Sequence, residues 1–200
     1  ISDVLFNTLV HRSHSRLDTL QKWQFISSLE DLNEKIDKDV KDNRTIFTGA
    51  FTCSHSIDDY KKSFRELWYN RDKLSRKLLV AESLAEIFKY LSEFYLIGNF
   101  MAWQMLCDLK LFKLISNTYQ DSNSFIILGP GGKKGLSIMS IELNEPIILL
   151  KAIKTKLGNN FCWLTLEDIE HTLCEFYKYH RCFNGGTKPK QKYKHEDSKS

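Results

Sequence analysis

Apolar residues recur every three to four positions along most of the chain, which is typical of amphipathic helices. The pattern predicts helices over residues 2–12, 17–42, 56–70, 74–91, 100–112, 146–156 and 166–181. Pro146 stands early in its helix, and Thr165 with Asp168 matches a capping box. Only three prolines occur in 200 residues. The sequence therefore predicts an all-α, multi-helix globular domain.

Two segments depart from the helical pattern. Residues 46–53 are β-prone and contain one glycine, which indicates at most a short extended segment. The last residues are rich in lysine and glycine and almost free of apolar side chains, which is typical of a flexible tail. We therefore expect one helical domain over residues 1–183 and a flexible basic tail over residues 184–200.

Composition excludes some classes of protein. The hydrophobic share of 42% and the charged share of 27% are ordinary for a soluble globular protein, and a net charge of +4 is mild. No signal peptide opens the chain, and no apolar run approaches the ~20 residues that span a bilayer, so we expect no membrane partner. Five scattered cysteines predict no disulfide framework and favour a reducing compartment, nucleus or cytoplasm. The opening Ile1 leads us to expect a fragment of a longer polypeptide.

The most distinctive stretch of the chain covers residues 128–136. It combines four glycines with two adjacent lysines: Gly129, Gly131, Gly132, Lys133, Lys134 and Gly135. Glycines permit close approach of another molecule, and exposed amides followed by cations suit a phosphate group. The alternative is a tight turn with two solvated lysines, and the local sequence gives the two interpretations about equal weight.

A second glycine-bearing turn lies within residues 91–103, between two predicted helices. This is the outline of a helix-hairpin-helix element, in which turn amides bind a DNA phosphate without reading sequence. Leu96 stands where a first glycine is expected before Gly98, and a simple α–α corner explains the pattern equally well. DNA glycosylases with a helix-hairpin-helix element carry a catalytic aspartate some way after the hairpin, and Asp121 lies at roughly that distance in sequence. A polar loop residue is the simpler interpretation of Asp121.

The last predicted helix concentrates polar side chains that suit several kinds of site. Glu170 and His171 are placed for proton transfer. Zinc bound by His171, Cys174, His180 and Cys182 is a second interpretation, but this spacing matches no closed zinc module. A structural role for His171 and Cys174 is favoured over a metal. We therefore expect no metal and no cofactor.

Four segments occur in an order that resembles a known family: residues 46–51, 97–109, 129–135 and 168–179. Together they resemble the helical domain of 5-hydroxymethyluracil DNA kinases and the related α-glutamyl/putrescinyl thymine pyrophosphorylases, over most of residues 40–195. The resemblance implies an all-α fold like that of helix-hairpin-helix DNA glycosylases. It also implies a DNA partner, a duplex with a modified thymine, whose base is extruded into a pocket.

The resemblance further implies roles for single residues. In pyrophosphorylase-like members, an amine nucleophile displaces pyrophosphate from an activated 5-hydroxymethyluracil. The implied catalytic residues are Asp108, Glu170, His171 and Glu175. The implied phosphate-binding residues are Gly129, Gly131, Lys133 and Lys134. The sequence adds four candidate phosphate- or DNA-binding residues: Gly98 of the hairpin turn, Gly132 of the glycine-rich stretch, and Lys178 and Arg181 of the last predicted helix.

The sequence departs from the family at Asn123 and Ser124, where acidic residues often stand. Our leading hypothesis is a DNA-binding, glycosylase-like domain that recognises or modifies a thymine-derived hypermodified base. This departure motivates an alternative, a non-catalytic nucleic-acid or protein-binding module of a larger polypeptide. A helical domain without nucleic-acid contact is the third interpretation, and whether the chain is an enzyme stays open.

Overall fold

The computed structural model describes residues 1–47, 55–116, 118–122, 124–139, 146–158 and 164–186. These residues contain nine helices and no strand, which confirms the all-α prediction. The chain divides into two compact units, Ile1–Phe125 and Ile126–Ser200. The predicted domain bounds, 1–183 and 184–200, and the likeness to DNA glycosylases stay predictions. No helix within these ranges is long and apolar enough to cross a membrane.

Six helices of the described residues lie in the first unit: α1 Ser2–His14, α2 Leu17–Trp23, α3 Leu29–Lys41, α4 Ile57–Val80, α5 Leu84–Ser92 and α6 Asn99–Leu111. Helix α1 packs against α4 and α6, α5 packs against α6, and α3 packs against α4. Helix α6 is central, because its Trp103, Met105 and Leu106 are fully buried.

The single helix predicted over residues 17–42 is wrong, because the chain breaks it between α2 and α3. Gln24 takes a left-handed φ of 50° at the end of α2, and Ser28 caps the start of α3. The buried Asn7 holds this break in place. Its side-chain amide donates to the Ile26 carbonyl at 3.0 Å, and its Oδ1 accepts from the Ile26 N–H at 2.7 Å.

The boundary predicted between helices 56–70 and 74–91 is also wrong. Helix α4 continues across this boundary and ends at Val80, since no glycine or proline lies between residues 70 and 74 to end it. The true boundary is marked by Ser83, whose hydroxyl accepts the N–H of Glu86 at 3.1 Å and caps α5.

Asp121, which the sequence offered as a candidate catalytic aspartate or as a polar loop residue, caps the same helix. Its two carboxylate oxygens accept the N–H groups of Leu84 at 2.8 Å and Ala85 at 2.9 Å. A carboxylate at a helix N-terminus satisfies free donors and opposes the positive end of the helix dipole. The geometry gives Asp121 this structural role.

The turn between α5 and α6 takes a strained backbone. Leu96 has a φ of 63°, a left-handed value that costs a non-glycine residue roughly 1–2 kcal/mol. This is the position where the hairpin pattern expects glycine. Gly98 follows as the N-cap of α6, with open space around its Cβ position. The DNA-binding role of this hairpin stays a prediction.

The described part of the second unit contains α7 Pro130–Ile138, α8 Pro146–Leu157 and α9 Leu166–Phe183. Both α7 and α8 pack against α9. The predicted helices over 146–156 and 166–181 are confirmed. The capping box is confirmed too, because Thr165 accepts the N–H of Asp168 at 3.2 Å and its own N–H donates back at 2.8 Å.

Some predicted segments lie partly or wholly outside the described residues. These are most of the β-prone segment 46–53 and the basic tail from residue 187 onward. Of the β-prone segment, Ile46 and Phe47 are described. Ile46 is buried, and its carbonyl accepts from the Thr19 hydroxyl at 3.1 Å.

Two histidines of α1 form a directed chain of hydrogen bonds. The Arg16 N–H donates to His14 Nδ1 at 3.1 Å, so neutral His14 carries its proton on Nε2. That proton points to His11 Nδ1 at 2.8 Å, and His11 Nε2 then donates to the Gln24 carbonyl at 2.8 Å. Burial lowers the pKa of His14 to about 3 and also lowers the pKa of His11. Both rings are therefore neutral near neutral pH.

We expect acid to destabilise the first unit well before its carboxylates titrate. The unfolded chain binds a proton at His14 below pH 6.5, whereas the folded chain does so only near a pKa of about 3. The free energy of unfolding should therefore fall by up to about 1.4 kcal/mol per pH unit as the pH drops from 6.5. Asp18 and Asp31 have lowered pKa values, so their protonation reduces the free energy of unfolding only below their ordinary pKa of 3.8.

Urea unfolding followed by tryptophan fluorescence measures this slope, since Trp23 packs edge-on against His14. His14→Gln should flatten the profile between pH 6.5 and about 4.5. Gln21→Ala, at an exposed position of α2 and without a titratable side chain, is the control and should leave the slope unchanged. An equal slope in wild type and His14→Gln would contradict the assignment.

Candidate functional site

The glycine-rich stretch forms the start of helix α7, and not the tight turn that the sequence left open as one of two interpretations. Gly129 is the N-cap with φ −68° and ψ 167°, and Pro130 takes the first helical position, where a missing N–H costs nothing. The helix continues through both lysines to Ile138. Helical structure persists across the glycines because they pack against another helix.

Helices α7 and α9 approach each other more closely than side chains on α7 would allow. A Cβ at Gly135 would overlap the Leu173 carbonyl oxygen and lie 3.0 Å from its carbonyl carbon. A Cβ at Gly131 would overlap the sulfur of Cys174. The sequence interpretation assigned the lack of side chains on α7 to an incoming phosphate. In the structure α9 occupies that space.

Glu170 fills the position at the start of α7 that the sequence interpretation gave to phosphate. Its side chain is 3% exposed, and its Oε1 accepts the Gly129 N–H at 3.0 Å. A Cβ at Gly132 would lie 2.7 Å from the same oxygen. The first turn of a helix carries a partial positive charge, so a buried carboxylate is stabilised there.

His171 and Cys174 follow Glu170 on α9. His171 Nε2 lies 3.7 Å from Glu170 Oε2, and its side chain is 45% exposed. Burial raises the pKa of the Cys174 thiol, so the thiol is protonated near neutral pH. The described residues hold no group of three or more His, Cys, Asp or Glu side chains that could bind a metal ion.

An exposed edge of the α7–α9 pair carries two cations around one aromatic ring. Lys134 Nζ lies 5.3 Å from the ring centre of Tyr177, and the Arg181 guanidinium carbon lies 5.6 Å from it. Both cations are solvent-exposed, and so is the neighbouring Lys133. We call Lys134, Tyr177 and Arg181 the Tyr177 cation group. The fold thus brings together two predicted phosphate-binding residues from different helices.

Two other predicted site residues bind each other on the surface of α9. Lys178 Nζ lies 2.5 Å from Glu175 Oε1, with side chains 61% and 69% exposed. The hydrogen bond to Glu175 raises the pKa of Lys178. The predicted catalytic acid and the predicted phosphate ligand therefore form an exposed ion pair.

The remaining candidates, Asp108 and Gly98, belong to the first unit. The Asp108 carboxylate accepts from both Nε and Nη2 of Arg12, a bidentate pair, and the Asp108 side chain is 11% exposed. Arg12 lies 96 residues away in sequence, so no local pattern indicates it. The geometry gives Asp108 a partner that holds α1 and α6 together.

Replacing Gly135 should destabilise the second unit more than replacing Gly131. Gly135→Ala meets a backbone carbonyl that cannot rotate away, and we expect a loss of about 2 kcal/mol in the free energy of unfolding. Gly131→Ala meets the rotatable Cys174 side chain and should cost less, with part of the loss recovered by adding Cys174→Ala. Amide hydrogen exchange in α7 and α9 measures both. Equal losses of unfolding free energy for Gly135→Ala and Gly131→Ala would contradict this packing.

Glu170 should stabilise the second unit through its hydrogen bond as well as through its charge. Glu170→Ala leaves the buried Gly129 N–H without its acceptor and should cost about 1–3 kcal/mol of unfolding free energy. Glu170→Gln keeps an acceptor oxygen and should cost less. Glu175→Ala, at an exposed acid of the same helix, is the control and should be nearly neutral. Chemical denaturation compares the three, and a neutral Glu170→Ala would refute the role.

Comparison with known proteins agrees with the motifs. Residues 2–188 match the protein family described as "5-hmdU DNA kinase, helical domain". This match covers nearly the whole chain, including both units of the described structure. No curated protein and no solved structure matches the chain.

Proposed function

Because this chain belongs to the family of 5-hmdU DNA kinase helical domains, we propose that it binds the DNA in which 5-hydroxymethyluracil is modified. The family supports a role related to DNA modification, with DNA as a partner. Recognition of the modified base in duplex DNA is the further step that we propose.

The observation that carries the proposal is the Tyr177 cation group. Lys134 and Arg181 flank one aromatic ring on an exposed edge of the α7–α9 pair. Arginine and lysine bind phosphate oxygens, and an aromatic ring offers a stacking surface for a base or sugar. The glycines of α7 support this binding indirectly, since they let α7 pack closely enough to place Lys134 over Tyr177.

The geometry favours binding over catalysis at this site. A general base must reach the proton that it abstracts. Glu170 is buried, and its Oε1 is already bonded to the Gly129 N–H. This supports the alternative raised by Asn123 and Ser124, a domain that binds without catalysing. Base extrusion and proton transfer by Glu170 and His171 stay predictions.

A binding experiment on the full chain tests the proposal. Fluorescence anisotropy should show binding to a duplex that weakens steeply as salt increases. Lys134→Ala with Arg181→Ala should reduce the slope of log K against log salt by about 2, one unit for each lost phosphate contact. Lys151→Ala with Lys156→Ala removes the same charge from exposed positions on α8 and serves as the matched control.

Two duplexes, differing only in thymine or 5-hydroxymethyluracil at one position, separate backbone binding from base recognition. Tighter binding of the modified duplex supports recognition of the base. Equal binding of both would restrict the proposal to the backbone. Absence of binding to either duplex at about 50 mM salt would overturn it.

A further inference from the structure

Helix α4 in the first unit has one buried face and one charged face. Its apolar face packs into the core through Tyr60, Phe64, Leu67, Leu74 and Leu78. Exposed residues at spacings of three and four form the opposite stripe, which we call the α4 cationic face: Lys62, Arg65, Tyr69, Lys73 and Arg76. The exposed Asp72 lies on its edge.

Three cations of this face make no internal interaction. Arg65, Lys73 and Arg76 form no hydrogen bond, ion pair or ring contact with any residue that the structure describes. Lys62 lies over the ring of Tyr95, with Nζ 4.3 Å from the ring centre. Most of the positive charge of this face is therefore available to an external anion.

The other basic side chains of α4 show that the fold can pair such charges. Arg71 donates to Asp3 at 3.0 Å and stacks on Trp68, with its guanidinium carbon 3.8 Å from the ring centre. Lys61 reaches Asp37 at 2.5 Å. The paired cations tie α4 to its neighbouring helices, whereas the α4 cationic face points away from them.

Keeping these cations side by side has an energetic cost. Like charges three or four residues apart destabilise a helix by roughly 0.2–0.5 kcal/mol per pair, and Lys73 stands three residues from Arg76. A bound polyanion would remove that repulsion. It would also gain the entropy of the counterions that the cations displace from its phosphates.

The dimensions of the face suit a nucleic-acid strand. Arg65 and Arg76 are eleven positions apart, or about 16 Å along the helix. One DNA strand presents a phosphate about every 3.4 Å along the axis, so the face spans about five phosphates. Tyr69, 72% exposed, lies between the cations as a surface for deoxyribose. A membrane surface fits less well, because the apolar face of α4 is buried in the core.

We propose that the α4 cationic face binds the sugar–phosphate backbone of DNA through Arg65, Lys73 and Arg76. This surface is separate in sequence from the Tyr177 cation group, and the proposal rests on the DNA-binding function proposed above. Each cation contacts one phosphate, so binding through this face is independent of base sequence.

The test uses the full chain and an unmodified duplex. A triple variant, Arg65→Gln, Lys73→Gln and Arg76→Gln, should bind at least about tenfold more weakly at 50 mM salt, with the log K–log salt slope smaller by 2 to 3. A control variant removes three exposed charges from other segments of the same unit, through Lys38→Gln, Lys41→Gln and Lys113→Gln, and should change the slope little. Circular dichroism confirms that both variants fold. Arg65→Lys with Arg76→Lys should keep wild-type binding, because point charges suffice for phosphate.

The outcomes separate this proposal from the proposed function. If wild type binds the duplex and the triple variant has the same log K–log salt slope as the control variant, the α4 proposal fails and the proposed function stands. If wild type binds no duplex, both fail. A third outcome is that wild type binds vesicles containing phosphatidylserine and the triple variant does not, while both bind the duplex equally well. That result would assign the face to a membrane and overturn the proposal.

Discussion

The close approach of α7 to α9 is the constraint on which the candidate site depends. Gly131 and Gly135 allow it, because a side chain at either position would overlap α9. That approach brings the start of α7 onto Glu170 and brings Lys134 over Tyr177. One packing requirement therefore determines which charge is buried inside the pair and which charge is left at its exposed edge.

Charge is divided in the same way in the first unit. Arg12 is bonded to Asp108 and Arg71 is bonded to Asp3, and both ion pairs join helices that are distant in sequence. Arg65 and Arg76 instead stay on the surface of α4. Basic residues thus serve two purposes in this fold: some join helices through carboxylates, and others stay exposed on the surface. The mild net charge of the chain hides this division.

The sequence predicted the fold class and several elements correctly, because helical periodicity and caps are local signals. The Thr165 capping box and helix α6, predicted over residues 100–112, are examples. Two of its failures lie where a distant contact decides the outcome. The break after α2 depends on Asn7, which holds Ile26 from nineteen positions away. The role of the glycines also depends on α9, although their helical spacing, with Gly135 four residues after Gly131, was a visible signal.

Glu170 has a consequence for selectivity. A free phosphate or nucleotide seeking the amides at the start of α7 would compete with a carboxylate that is covalently part of the chain and already in place. The Gly129 N–H at the start of α7 is therefore not free to bind a small anion. Under the proposed function, a polyanion binds instead through several surface cations at once, and multivalency raises its affinity above that of any single anion.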